Sequence, residues 1–225
     1  MYIIDNKRKI IFVITPKCGL QHINYLYAFL IDKQMKFREV HNLPPNYKKF
    51  TIIFTIRNPY HRIISGFREK YSNDWQREHF LSHFSIPNIV YNKLTFGQFI
   101  NELHLNKLKH INKYHFIPQT EEFDKIKDCK KLIIYDLYNI DYEYIGKLYG
   151  KHIPDEVKKR RGNHTNKSTW QLKEYVYNKP NISYRYMKID TKYFFNDDLH
   201  NKMYEFYMRD FEEFKKRGFD FKMCA

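Results

Sequence analysis

The chain has little cysteine: three residues in 225, odd in number, scattered, and with no CxxC pair. That excludes a disulfide framework and a thiolate zinc site, and it suits a reducing compartment. Glycine is scarce too, at seven, and no GxxxxGK[ST] stretch occurs, so the hydroxyl that holds magnesium in a P-loop kinase is missing. Neither an HExxH motif nor a carboxylate cluster calls for a metal. No apolar run approaches the ~18 residues of a membrane span. No leader peptide is expected, because Met1 leads through the charged "DNKRK" directly into the first strand. A cytoplasmic location follows as the expectation. Helix-turn-helix, zinc-finger and RNP-like aromatic motifs are absent, which argues against a specific nucleic-acid reader.

What the chain does have is positive charge and rings. Lys and Arg number 40 against 25 Asp and Glu, a formal net charge of +15, with 20 Tyr and 19 Phe. Such a basic protein attracts polyanions: nucleic acid, acidic glycans, phosphorylated cofactors or anionic membrane. At 43% hydrophobic the chain can build one sizeable core, and a single domain over 1–225 is expected. Apolar runs at 9–15, 50–56 and 131–136 read as buried strands. Ile23, Leu26, Tyr27 and Leu30 mark one amphipathic helix, and Ile63, Ile64, Phe67 and Tyr71 a second, with Asn58 as N-cap and Pro59 as first residue. Helices are also expected at 95–104 with Thr95 as cap, at 141–150 ending on Gly150, and at 196–219. Leu199, Met203, Phe206, Tyr207, Phe211 and Phe214 form the inner face of the last, and Gly218 its stop. Strands alternating with helices argue an α/β fold with a parallel sheet.

Two strand ends carry anion chemistry. After the first strand, "TPKCG" leads straight into a helix, whose N-terminal N–H groups and dipole favour an anion. Lys17 adds a full charge and Gly19 permits close backbone approach. After the second strand, Arg57 offers a forked contact, and Ser65, about two helical turns on, a hydroxyl. Two such ends suit one elongated ligand with two anionic groups.

These motifs resemble those of the sulfotransferases that use 3′-phosphoadenosine-5′-phosphosulfate (PAPS), most closely the carbohydrate sulfotransferase branch. Arg57, Asn58, Pro59, Arg62, Ser65, Phe67 and Arg68 fill the places of that family's second motif. "HFIPQT" (115–120) and the terminal "FYMRDFEEFKKRGF" are also similar to later segments of the branch. The resemblance implies a P-loop-like three-layer fold, a central parallel sheet flanked by helices, with 72–120 as the acceptor-binding region. It implies that Lys17 and the backbone of Cys18, Gly19, Leu20, Gln21 and His22 hold the 5′-phosphosulfate, and that Arg57 and Ser65 hold the 3′-phosphate. Leu20, Gln21 and His22 stand where relatives carry small or hydroxyl residues. Arg161 loosely matches a late basic segment that closes over the 3′-phosphate.

Sulfuryl transfer asks the protein to position groups and neutralise developing charge. Lys17 suits the leaving oxygen. A base must take the acceptor's proton. His41, on the loop before the strand ending at Arg57, corresponds to a catalytic His of some relatives, with Glu39 the neighbouring fallback. Glu39, His115, Asn166 and Lys167 are acceptor-side candidates, and His79, His83, His104 and His110 fall in the divergent stretch. The expected function is transfer of a sulfuryl group from PAPS to a hydroxyl of a carbohydrate without a metal, and the basic surface suits an acidic glycan. The rivals are an inactive sulfotransferase-like binding protein and a P-loop nucleotide kinase.

Overall fold

A computed structural model describes residues 1–33, 39–71, 94–107, 113–160, 170–184 and 187–223. The fold is α/β. Its packing divides into two compact units, each discontinuous in sequence: Met1–Arg57 with Gln119–Thr165, and Asn58–Pro118 with Asn166–Ala225.

The first unit is built on a four-stranded sheet in the order β1-β2-β3-β4. Its strands are β1 (Tyr2–Asp5), β2 (Ile10–Ile14), β3 (Thr51–Ile56) and β4 (Leu132–Asp136). The last three are parallel and lie in the three predicted apolar runs. Their central members are buried on both faces, which is why they read as continuous apolar runs rather than alternating ones. Ile10, Phe12, Ile14 and Ile53 pack with Ile23, Leu26 and Leu30 of α1 (Leu20–Leu30), with Ile145 and Tyr149 of α6 (Tyr142–Tyr149) and with Val157 of the short α7 (Asp155–Lys159). On the opposite face Phe54 stacks on Phe123 of the short α5 (Thr120–Phe123), their ring centroids 6.3 Å apart.

β1 is an addition to the expected strands. It runs antiparallel to β2, Tyr2 facing Val13, and Tyr2 also bridges Val40. The buried Glu122 fixes this edge. It accepts hydrogen bonds from the Tyr2 hydroxyl (2.6 Å) and the Lys125 ammonium (2.6 Å). Burial by itself works against ionisation of this carboxyl. The bonds from Lys125 and Tyr2 outweigh it, and the pKa ends below the ordinary value. Because the folded-state pKa is depressed, the stabilisation is complete above the unfolded value of about 4.3 and is lost as pH falls through the folded one. Glu122→Gln is therefore expected to cost about 1 kcal/mol at pH 7. Urea unfolding of both proteins should show the gap closing below about pH 4.

In the second unit, α2 (Pro59–Lys70) starts as expected: Asn58 accepts from the Tyr60 N–H at 3.0 Å and Pro59 occupies the first turn. α3 (Phe96–Asn106) opens on a full capping box between Thr95 and Gln98. The four-residue α4 (Lys113–Phe116) follows. The long α8 (Asp197–Lys215) is capped by Asn196, and Gly218 takes a positive φ just beyond it. Phe67 is central to an aromatic core, 5.2 Å from both Phe96 and Phe99 between centroids. Leu199, Met203, Tyr207 and Phe211 supply the α8 side of that core. A small parallel pair, β5 (Gln171–Leu172) and β6 (Lys188–Ile189), was not expected.

Candidate anion-binding site

The register aligns Ile14 with Thr55 and Ile56 with Asp136. The segments that follow β2, β3 and β4 therefore emerge at the same, carboxyl, edge of the sheet. Open parallel sheets bind ligands at that edge. Here those segments carry Lys17, Arg57 and Tyr138, all within the first unit.

The first loop is a tight turn. The Cys18 N–H donates to the Thr15 carbonyl at 3.1 Å. Pro16 takes the second position and Lys17, with φ 69°, the third. Proline followed by positive φ is the pattern of a type II turn, and its third position favours glycine or asparagine. A lysine held there is strained by about 1–2 kcal/mol. Gly19 (φ 86°) then caps α1 without a side chain, its carbonyl accepting the Ile23 N–H at 2.9 Å. A Cβ at Gly19 would stand 2.3 Å from Leu137 Cδ1.

A buried polar network holds this turn. Thr15 Oγ1 donates to Cys18 Sγ at 2.9 Å, and Cys18 Sγ donates to Gln119 Oε1 at 3.0 Å. Thr55 Oγ1 donates to the Cys18 carbonyl at 3.3 Å. The thiol of Cys18 thus faces inward, and only its backbone is left to meet a ligand. The fully buried Gln119 also reads the Arg57 backbone, accepting from its N–H and donating to its carbonyl, both at 2.9 Å.

Arg57 joins the pieces. One terminal nitrogen donates to the Lys17 carbonyl at 3.1 Å and the other to the Tyr138 hydroxyl at 2.9 Å. Its Nε is enclosed without a hydrogen-bond partner. A guanidinium fixed at two corners, with an unsatisfied donor between them, is preorganised for an anion.

The other candidates fall as follows. Leu20 and Gln21 open α1, half-buried. The His22 ring is buried and already bonded. Nδ1 lies 3.0 Å from the Arg160 carbonyl and Nε2 2.8 Å from the Tyr142 hydroxyl. In the neutral ring that satisfies both, Nδ1–H donates to the carbonyl and Nε2 accepts from the tyrosine. Only the backbone of His22 can serve a ligand. The Val40–Tyr2 bridge draws residues 39–41 to the same sheet edge beside β1. There His41 is exposed, and Glu39 Oε2 is enclosed with no hydrogen-bond partner. Ser65, half-buried on α2, and His115, on α4, belong to the second unit. The motif arginines Arg62 and Arg68 bind backbone carbonyls there, of His115 at 3.3 Å and of Met187 at 2.9 Å. His104 is within 3.7 Å of Glu205. Arg161, Asn166, Lys167, His79, His83 and His110 lie outside the described residues.

No family model matches the chain, and no curated protein matches it.

The sequence alone assigns no role to Gln119 or Tyr138. Gln119 lies within the quoted "HFIPQT", yet its function arises from a partner 62 residues away. A groove of about 670 Å³ beside α6 is lined by Lys147, Lys151 and Lys158. Each of these is ion-paired, to Glu143, Asp32 and Asp155, so the groove lacks the uncommitted donor found at Arg57. Among the described residues no group of His, Cys, Asp and Glu is suited to a metal, and no helix is long and apolar enough to cross a membrane.

Proposed function

We propose that this protein is a PAPS-dependent sulfotransferase acting on a hydroxyl of a carbohydrate acceptor, on a P-loop-like three-layer frame. The observation that carries the proposal is the strained Lys17 turn joined to Arg57, two cations at one carboxyl sheet edge. The enclosed, unpartnered Nε of Arg57 fits a phosphorylated ligand. In this scheme PAPS supplies the activated sulfuryl group and departs as adenosine 3′,5′-bisphosphate.

The protein's own part is positioning and charge. Lys17 and the backbone from Cys18 to His22 hold the 5′ end, and the Lys17 ammonium neutralises the leaving oxygen. Arg57 and Ser65 serve the 3′-phosphate, Ser65 on the strength of the motif alone. His41 accepts the acceptor hydroxyl's proton on a ring nitrogen, with Glu39 as the neighbouring carboxylate. Acceptor contacts are assigned to Glu39, His115, Asn166 and Lys167, and Arg161 to the cofactor.

Calorimetry with adenosine 3′,5′-bisphosphate, against ATP with magnesium, tests the proposal. Binding of ATP alone would indicate a nucleotide kinase, and binding of neither would leave no cofactor role for the site. His41→Ala is expected to abolish turnover and to keep the bisphosphate affinity within about twofold. Persisting turnover would move the base to Glu39.

A further inference from the structure

Three tyrosines of the second unit serve none of the chemistry above. Tyr175 and Tyr177 lie on the turn that follows β5, and Tyr193 on the short 3₁₀ helix Thr191–Phe194. The Tyr175 ring centroid is 5.7 Å from that of Tyr193 and 5.8 Å from that of Tyr177, with the planes tilted by 80° and 66°. The backbone beneath the rings is fixed. Val176 and Phe194, each next to a member of the trio, are fully buried in the aromatic core. The Val176 N–H donates to the Tyr193 carbonyl, and the N–H of Gly97 in α3 to the Tyr177 carbonyl, both at 2.8 Å. A Cβ at Gly97 would lie 3.2 Å from that carbonyl oxygen, so α3 and the turn meet closely. An ion pair between Glu174 and Lys179 (2.6 Å) brackets the turn. With Val176 and Phe194 inside, Tyr175 is left 59% exposed. Lys173 and Lys192 are exposed beside it in the chain, and the Lys192 ammonium is 5.4 Å from the Tyr193 centroid. Neither lysine has an ion-pair partner among the described residues, and the nearby Glu174 is taken by Lys179.

We infer that Tyr175, Tyr177, Tyr193 and the two lysines form a docking surface for an acidic glycan. The C–H face of a sugar ring is weakly positive and rests on the negative face of an aromatic ring. Phenolic hydroxyls at the rim exchange hydrogen bonds with sugar hydroxyls. Lys173 and Lys192 supply the charge that meets carboxylate or sulfate groups along the chain. Steeply tilted rings make a corner, which suits a puckered ring with hydroxyls around its edge. A run of flat nucleobases gains most from roughly parallel rings, and neither pair here is parallel. Because the backbone is fixed, little freedom is lost on binding. The surface lies within the second unit and assigns no step of the reaction, so it stands or falls apart from the cofactor site.

The test is calorimetry of the whole protein with oligogalacturonate, a carboxylated glycan, beside neutral malto-oligosaccharide and oligothymidylate. Oligogalacturonate should bind more tightly than the other two, and its affinity should fall as salt rises. Tyr175→Ala and Tyr175→Leu should each weaken it about fivefold or more, with thermal melts unchanged because the side chain is largely exposed. Lys192→Gln should weaken it and flatten the salt dependence. Full affinity in Tyr175→Ala would place the glycan elsewhere, and full affinity in Tyr175→Leu would replace ring stacking by plain apolar contact; either overturns the inference. Tighter binding of oligothymidylate would assign the surface to nucleic acid, and equal binding of the neutral glycan would remove the lysines from it. A dimer dispersed by Tyr175→Ala, without glycan binding, would assign it to a second copy of the chain. Each of these also overturns the inference, as does a parent protein that binds no glycan. A parent that binds oligogalacturonate through Tyr175 but not the bisphosphate upholds the inference and sinks the sulfotransferase proposal alone.

Discussion

Lys17→Gly is expected to make the protein slightly more stable and nearly inactive. Lys17 holds φ 69° in a turn position that favours glycine. Glycine there removes about 1–2 kcal/mol of left-handed strain and returns about 0.5–1 kcal/mol through its freer unfolded chain. A net gain of about 0.5 kcal/mol raises Tm by roughly 1–2 °C in a chain of this size. In the proposed reaction, losing the Lys17 cation at the leaving oxygen costs about 10²–10³ in turnover. Lys17→Ala separates the two effects: the turnover loss is the same, but the strain stays, so Tm does not rise. The measurements are thermal melts beside turnover with PAPS, or bisphosphate affinity. Turnover within a few-fold of the parent would remove Lys17 from the reacting bond. A lower Tm for the glycine variant would mean that the lysine side chain anchors the turn. Opposed signs are what a position kept for chemistry at the expense of backbone comfort predicts.

Gly19→Ala should be the most damaging change to stability in the same loop. Two independent penalties add. An L-residue at φ 86° is strained by about 1–2 kcal/mol. Its Cβ would lie 2.3 Å from Leu137 Cδ1, and Leu137 belongs to the core cluster with Ile14, Cys18 and Ile140, so it has little room to yield. Overpacking of this kind costs about 1–3 kcal/mol. The sum, about 2–5 kcal/mol, should appear as a clear fall in the urea midpoint, together with loss of bisphosphate binding. Adding Leu137→Ala relieves the collision but not the backbone strain. The double variant should therefore be less destabilised than the sum of the singles by about 1 kcal/mol. Strict additivity would mean that the two side chains never meet.

The difference between what sequence revealed and what it concealed follows the range of the interactions. The three buried strands were legible because each is a dense apolar run, and the α2, α3 and α8 starts because Asn58, Thr95 and Asn196 bond to N–H groups two or three residues on. β1 was hidden by its brevity and by the charged stretch that follows it. The β5–β6 pair joins two-residue strands at 171–172 and 188–189, each too short to give a periodic signal. In the site, Lys17, Gly19 and Arg57 were readable as strand-end residues, but Gln119 and Tyr138 act across 62 and 81 residues. His22 was a missed local clue. It precedes Leu26 and Leu30 by four and eight positions, which sets it on the inner stripe of α1, where its ring is in fact bonded to protein.

The Gln119 amide also acts as a clasp on a polymer ring. Its two hydrogen bonds to the Arg57 backbone close a span of 62 residues. Closing such a ring costs an entropy that grows only with the logarithm of its length, and doubling the span adds about 0.6 kcal/mol. A surface insertion between Arg57 and Gln119 therefore adds little closure cost, while the two residues that brace the Lys17 turn stay where they are. The proposed anion-binding edge is thereby insulated from changes of length in the chain that the clasp spans.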